Sequence, residues 1–79
     1  MTAKEMFEEL GYKYEENNTE IIYFNSFRSR FQYLIVFYKD IKTIEKFKYY
    51  NNVSVGINVK ELQAINKQIE ELGWLDKGK

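Results

Sequence analysis

The sequence predicts an α+β domain: an N-terminal helix, a four-stranded antiparallel sheet and a C-terminal helix, with both helices packed on one sheet face. Three observations predict it. Apolar residues recur at helical spacing at both ends of the chain, and each of these stretches opens on a capping signal and closes on a glycine. Between them, aromatic and β-branched residues alternate with polar ones in short runs. Turn-prone asparagines and charged pairs separate those runs.

The first helix is predicted over residues 3–10. Thr2 and Glu5 have capping-box spacing, and Ala3, Met6, Phe7 and Leu10 form one apolar stripe. Gly11 stops it, because glycine tolerates the left-handed backbone needed just past a helix end. Strands are predicted over 12–16 and 20–25, joined through Asn17-Asn18. Tyr12 and Tyr14 share a face in the first. In the second, Ile22 and Phe24 alternate with Ile21 and Tyr23. Asn25 to Arg30 is polar apart from Phe27 and reads as a loop.

The strand 31–38 is apolar on both faces. Phe31, Tyr33, Ile35 and Phe37 lie on one, and Leu34, Val36 and Tyr38 with Gln32 on the other. Such a strand belongs in the middle of a sheet. Lys39-Asp40 turns the chain into a strand over 43–50, whose face bearing Lys42, Lys46 and Lys48 is expected to meet water. Asn51-Asn52 makes a turn and 53–57 a short extended stretch. The last helix is predicted over 59–72. Asn58 and Glu61 repeat the cap spacing, Val59, Leu62, Ile65, Ile69 and Leu72 form the stripe, and Gly73 ends it before Trp74. Residues 75–79 read as a frayed tail.

One motif occurs twice: Glu8-Glu9-Leu10-Gly11-Tyr12 and Glu70-Glu71-Leu72-Gly73-Trp74. Each puts an aromatic residue after the stop glycine, placed to fold back on the helix. Each also puts two acids in the last helical turn, where the helix dipole disfavours them by roughly 0.3–1 kcal/mol each. The simplest reading is convergent capping with solvated glutamates.

A chain of 79 residues is a single domain and has a limited core. Seven Tyr, six Phe and one Trp compensate, since each ring can bury roughly 150–250 Å². There is no cysteine, histidine or proline. Disulfides, thiolate metal sites and thiol catalysis are therefore excluded, and the usual neutral-pH base and commonest metal ligand are missing. Ser26, Ser29 and Ser54 have no histidine base. The pairs Glu8/Glu9, Glu15/Glu16 and Glu70/Glu71 read as solvated surface, and the glycines are too scattered for a phosphate loop. No enzyme, metal or cofactor is expected.

Net charge is zero, which argues against a general polyanion binder. The charge is unevenly spread. Acids dominate residues 1–20 and bases dominate 21–50, where Arg28, Arg30, Lys39, Lys42, Lys46 and Lys48 face only Asp40 and Glu45. No apolar run approaches the roughly 20 residues of a membrane span, and the first residues show no apolar signal region, so cytoplasm is the expected location.

Two surfaces are candidates for binding. Two helices can cover only one face of the sheet, yet the central strand is apolar on both. Tyr23, Tyr38 and Tyr50 are expected on the uncovered side, as an aromatic patch for a protein partner or a second copy; the alternative is that loops or the 53–57 segment cover that face. Alternatively, Phe27, Arg28, Arg30, Lys46 and Lys48 interleave cations with aromatics in the manner of single-strand nucleic-acid binders.

The segments from Thr2 to Tyr12 and from Lys60 to Trp74, with their shared Glu-Glu-Leu-Gly-aromatic endings, resemble small uncharacterised proteins of phages, prophages and mobile elements of low-GC Gram-positive bacteria. The resemblance covers about a third of the chain. It implies a phage or mobile-element origin and a bacterial host cytoplasm, and carries no functional residue with it. On this footing the expectation is an accessory protein that binds another protein or itself, with single-strand nucleic-acid binding as the alternative.

Overall fold

A computed structural model describes residues 1–27, 30–48 and 56–75. The order is α1 (Ala3–Glu9), β1 (Tyr12–Glu16), β2 (Glu20–Phe27), β3 (Arg30–Tyr38), β4 (Thr43–Lys48) and α2 (Val59–Leu72). The strands form one antiparallel meander in the order β1-β2-β3-β4. The α+β expectation is met, and both helices lie on the same sheet face. No described helix is long and apolar enough to cross a membrane.

Both helix starts are built as their sequences require. Thr2 and Asn58 accept from the amides of Glu5 and Glu61, whose carboxylates reach back to the cap amides. The two ends differ. Gly73 is left-handed at φ 71°, its amide donates to the Glu70 carbonyl and the Trp74 amide donates to the Ile69 carbonyl, a paired closure of the last turn. α1 instead tightens at Leu10 and Gly11, whose amides donate to the carbonyls of Phe7 and Glu8. Gly11 turns the chain at φ 92°.

β2 and β3 are longer than the sequence suggested. Beyond Asn25 the pairing continues through a bulge, so that Ser26 pairs with Phe31 and Phe27 with Arg30. The polar composition of 25–30 had marked a loop, but backbone pairing in a hairpin does not require apolar side chains. The Asn17 side chain stabilises the first hairpin, accepting from the Thr19 and Glu20 amides. The strand predicted over 43–50 is seen to Lys48; Tyr49 and Tyr50, the 51–52 turn, residues 53–55 and the tail from 76 onward lie outside the described residues.

The core lies between the helices and one sheet face. Phe7, Tyr12, Ile21, Tyr23, Ile35, Phe37, Ala64 and Ile65 are its buried members. Phe7 is the hub: it stacks on Tyr23 at 3.8 Å between ring centroids and meets Tyr12 and Phe37 edge-on. Trp74, expected to fold back on the last turn of its own helix, lies 6.1 Å from the Phe37 ring of β3.

Candidate protein-docking face

Alternation along the strands and their register assign the described side chains to a face. The face under the helices carries Tyr12 and Tyr14 from β1, Ile21 and Tyr23 from β2, Tyr33, Ile35 and Phe37 from β3, and Ile44, Lys46 and Lys48 from β4. The opposite face contains two complete cross-strand rows. One runs Lys13, Phe24, Leu34, Phe47, and the next runs Glu15, Ile22, Val36, Glu45. A third, shorter row holds Glu20, Tyr38 and Thr43.

Five contiguous residues on this second face are apolar: Ile22, Phe24, Leu34, Val36 and Phe47. Val36, at the centre, is closed off by its neighbours, whereas the other four are half-buried. Among the described residues, neither helix packs there, and the face is uncovered in that sense. The rim is polar, with Lys13 and Glu15 exposed on the β1 edge and Glu45 on the β4 edge. The Tyr38 hydroxyl donates to Glu45 Oε1 at 2.8 Å, and burial together with this bond pushes the phenol up to about 12.

The predicted site residues divide. Tyr38 does lie on the uncovered face. Tyr23 does not: it is 1% exposed, stacked on Phe7, and its hydroxyl donates to Gln68 Oε1 on α2. Burial raises its pKa. The misassignment has a simple cause. Ile21-Ile22-Tyr23-Phe24 is apolar in both phases of the alternation, so the pattern alone does not say which phase meets the helices. Tyr50 and Arg28 lie outside the described residues, and Phe27 and Arg30 are placed by backbone alone, at the β2–β3 end of the sheet.

The expectation of a water-facing lysine face on β4 is overturned at Lys46. Its side chain is 8% exposed and its ammonium bonds Glu61 Oε1 and the Gly56 carbonyl, each at 2.8 Å. It also lies 5.1 Å from the centre of the Tyr33 ring. The second Glu61 oxygen accepts from the Tyr12 hydroxyl at 2.8 Å. Burial pushes the Glu61 carboxyl up, but Lys46, Tyr12 and the Asn58 amide outweigh it and hold the group below its ordinary value. The physical reason is register: Lys46 sits beside Ile35 and one turn of alternation from Ile44, both facing the core. Ile44 on the lysine face was the available signal. Lys48 is exposed, but on the helix side of the sheet.

The helix side also holds a shallow cleft bounded by Lys4, Tyr14, Glu16, Gln68 and Glu71. Its polar groups are already engaged. Tyr14 donates to Glu16, and that bond pushes the phenol up to about 12. Lys4 lies over the Tyr14 ring, Gln68 accepts from Tyr23, and Glu71 Oε2 accepts from the Ala3 amide at 2.8 Å. This last bond gives one acid of the repeated motif a structural use, at the N-terminus of the other helix, where negative charge is favoured. Among the described residues, no group of three or more acidic side chains is arranged to hold a metal ion.

Comparison of the chain with models of known protein families, with curated proteins and with solved structures found no match.

Proposed function

We propose that this protein is an interaction module that docks another protein chain through the uncovered face of its sheet. The observation that carries the reading is the contiguous set Ile22, Phe24, Leu34, Val36 and Phe47, bordered by Lys13, Glu15 and Glu45. An apolar centre with a charged rim is the usual anatomy of a protein interface. Its role as an accessory protein of a phage or mobile element is supported by the resemblance of the chain's two ends alone. The nucleic-acid alternative has less support, because the Lys46 ammonium is committed to Glu61 and is not free to meet a phosphate.

Site-specific photocrosslinking tests the reading. A photoreactive residue at Phe47, on the uncovered face, should form protein adducts in the host cell. The same residue at Gln63, exposed on α2, should form few. Equal adduct formation at both positions, or none at Phe47, would refute docking through this face.

A further inference from the structure

We propose that the occupant of the uncovered face is a second copy of this chain, packed face to face about a two-fold axis running across the strands, with β1 over β1 of the second copy. This rests on the docking reading above and names its partner. A two-fold interface requires a surface that complements itself, and the two cross-strand rows do so in one orientation.

An axis lying between the rows, perpendicular to the strands, places each row over the other row of the second copy. Phe24 then faces Ile22, and Leu34 faces Val36, so four of the five apolar side chains meet apolar partners. At the β1 edge, Lys13 faces Glu15 of the second copy, and symmetry repeats the pair. Both side chains are exposed, and neither forms an ion pair among the described residues. At the β4 edge, Phe47 lies over Glu45, whose carboxylate is held to the side by the Tyr38 hydroxyl. Sheets stacked in this way lie about 10 Å apart, close enough for these side chains to interdigitate.

The competing axis, parallel to the strands, places β1 over β4. It sets Glu15 against Glu45, a carboxylate pair repeated by symmetry, and gains only an exposed contact of Lys13 with the Phe47 ring in return. Charge therefore selects the first arrangement. Among the described residues the apolar centre comprises five side chains, a small core for an interface, since a standard stable one engages roughly 20–30 residues a side. The dimer is accordingly weak and concentration-dependent.

Sedimentation velocity on the full chain, from low micromolar to millimolar concentration, measures it. The wild type should pass from monomer to dimer. Lys13→Glu sets like charges opposite each other twice and should raise the dissociation constant roughly tenfold. The swap Lys13→Glu with Glu15→Lys should return it to within about threefold of wild type. Both positions are exposed on an edge strand, so circular dichroism should show all variants folded. A wild type that stays monomeric at millimolar concentration overturns the second copy as occupant. So does a Lys13→Glu variant with unchanged dimerisation, or a swap that fails to restore it. Should the wild type be monomeric while Phe47 still crosslinks to a different protein, the docking face survives and only its occupant is wrong.

Discussion

Lys46→Met is the sharpest perturbation of this fold. Methionine keeps most of the apolar stem and removes the ammonium. What remains is a carboxylate, Glu61, whose side chain is 9% exposed and whose nearest cation has gone. Removing one partner of a buried ion pair typically costs about 3–5 kcal/mol, because the other charge is left uncompensated. Two donors stay with Glu61, the Tyr12 hydroxyl and the Asn58 amide, and they soften that cost. The Gly56 carbonyl and the Tyr33 ring also lose the ammonium. Together these place the loss at about 2–4 kcal/mol. A domain of this length has roughly 4–12 kcal/mol in all. At about 4–8 °C per kcal/mol, Tm should fall by roughly 8–32 °C.

Thermal and urea unfolding followed by circular dichroism at neutral pH read this directly. The double variant Lys46→Met with Glu61→Gln should be more stable than Lys46→Met alone, since no buried charge is then stranded, with a coupling of about 1–3 kcal/mol. The pH dependence has a definite sign. Glu61 titrates lower in the folded chain than its ordinary 4.5, so its contribution is present above 4.5 and is lost as pH falls through the lowered folded value. The difference in stability between wild type and Lys46→Met should therefore shrink in acid. A neutral-pH loss under about 0.5 kcal/mol would refute the claim that this pair ties β4 to α2.

Other perturbations probe separate parts of the chain. Gly73→Val forces a β-branched residue to φ 71°, while a Cβ there would meet nothing within 4 Å, so the cost is backbone strain alone. We expect about 1–2 kcal/mol, read as a Tm lower by roughly 4–15 °C; unchanged Tm would mean that the helix end relaxes freely. Tyrosine absorbance should show Tyr14 and Tyr38 ionising near 12, against an ordinary 10.0. These groups have raised folded values, so their stabilisation is intact below 10 and lost as pH rises through the folded value; a full set of tyrosines titrating near 10 in the folded chain would contradict the hydroxyl contacts.

The helices were legible because their signals are local. Thr2 with Glu5, and Asn58 with Glu61, need only four residues of sequence to specify a cap, and Gly11 and Gly73 need only their own backbone freedom. That the two helices leave one partly apolar sheet face was legible too, from a central strand apolar on both sides. Which residues of β2 lie on it was not. Tyr23 and Phe24 are both aromatic neighbours in alternating phases, and the choice between them is made by Phe7 and Gln68, which are distant in sequence. Lys46 failed for a related reason. A lysine on a strand is normally solvated, and nothing near it in sequence reveals that Glu61 sits across from it. Glu71 likewise acquires its use only when α1 is brought beside α2.

These same contacts bear on where function lies. On the helix side the polar groups near the core are engaged within the fold: Tyr12 and Lys46 with Glu61, Tyr23 with Gln68, Glu71 with the Ala3 amide. A ligand binding there would have to replace hydrogen bonds that the fold already makes, and leaving a buried donor or acceptor unmade costs about 1–3 kcal/mol each. On the other face the opposite holds. Phe24, Leu34 and Phe47 occupy positions of a meander where threonine or lysine would keep the strand and improve solubility. Covering them removes apolar surface from water and breaks no internal bond of the helix layer. The asymmetry between a satisfied helix side and a partly apolar opposite face is what supports the docking reading proposed above.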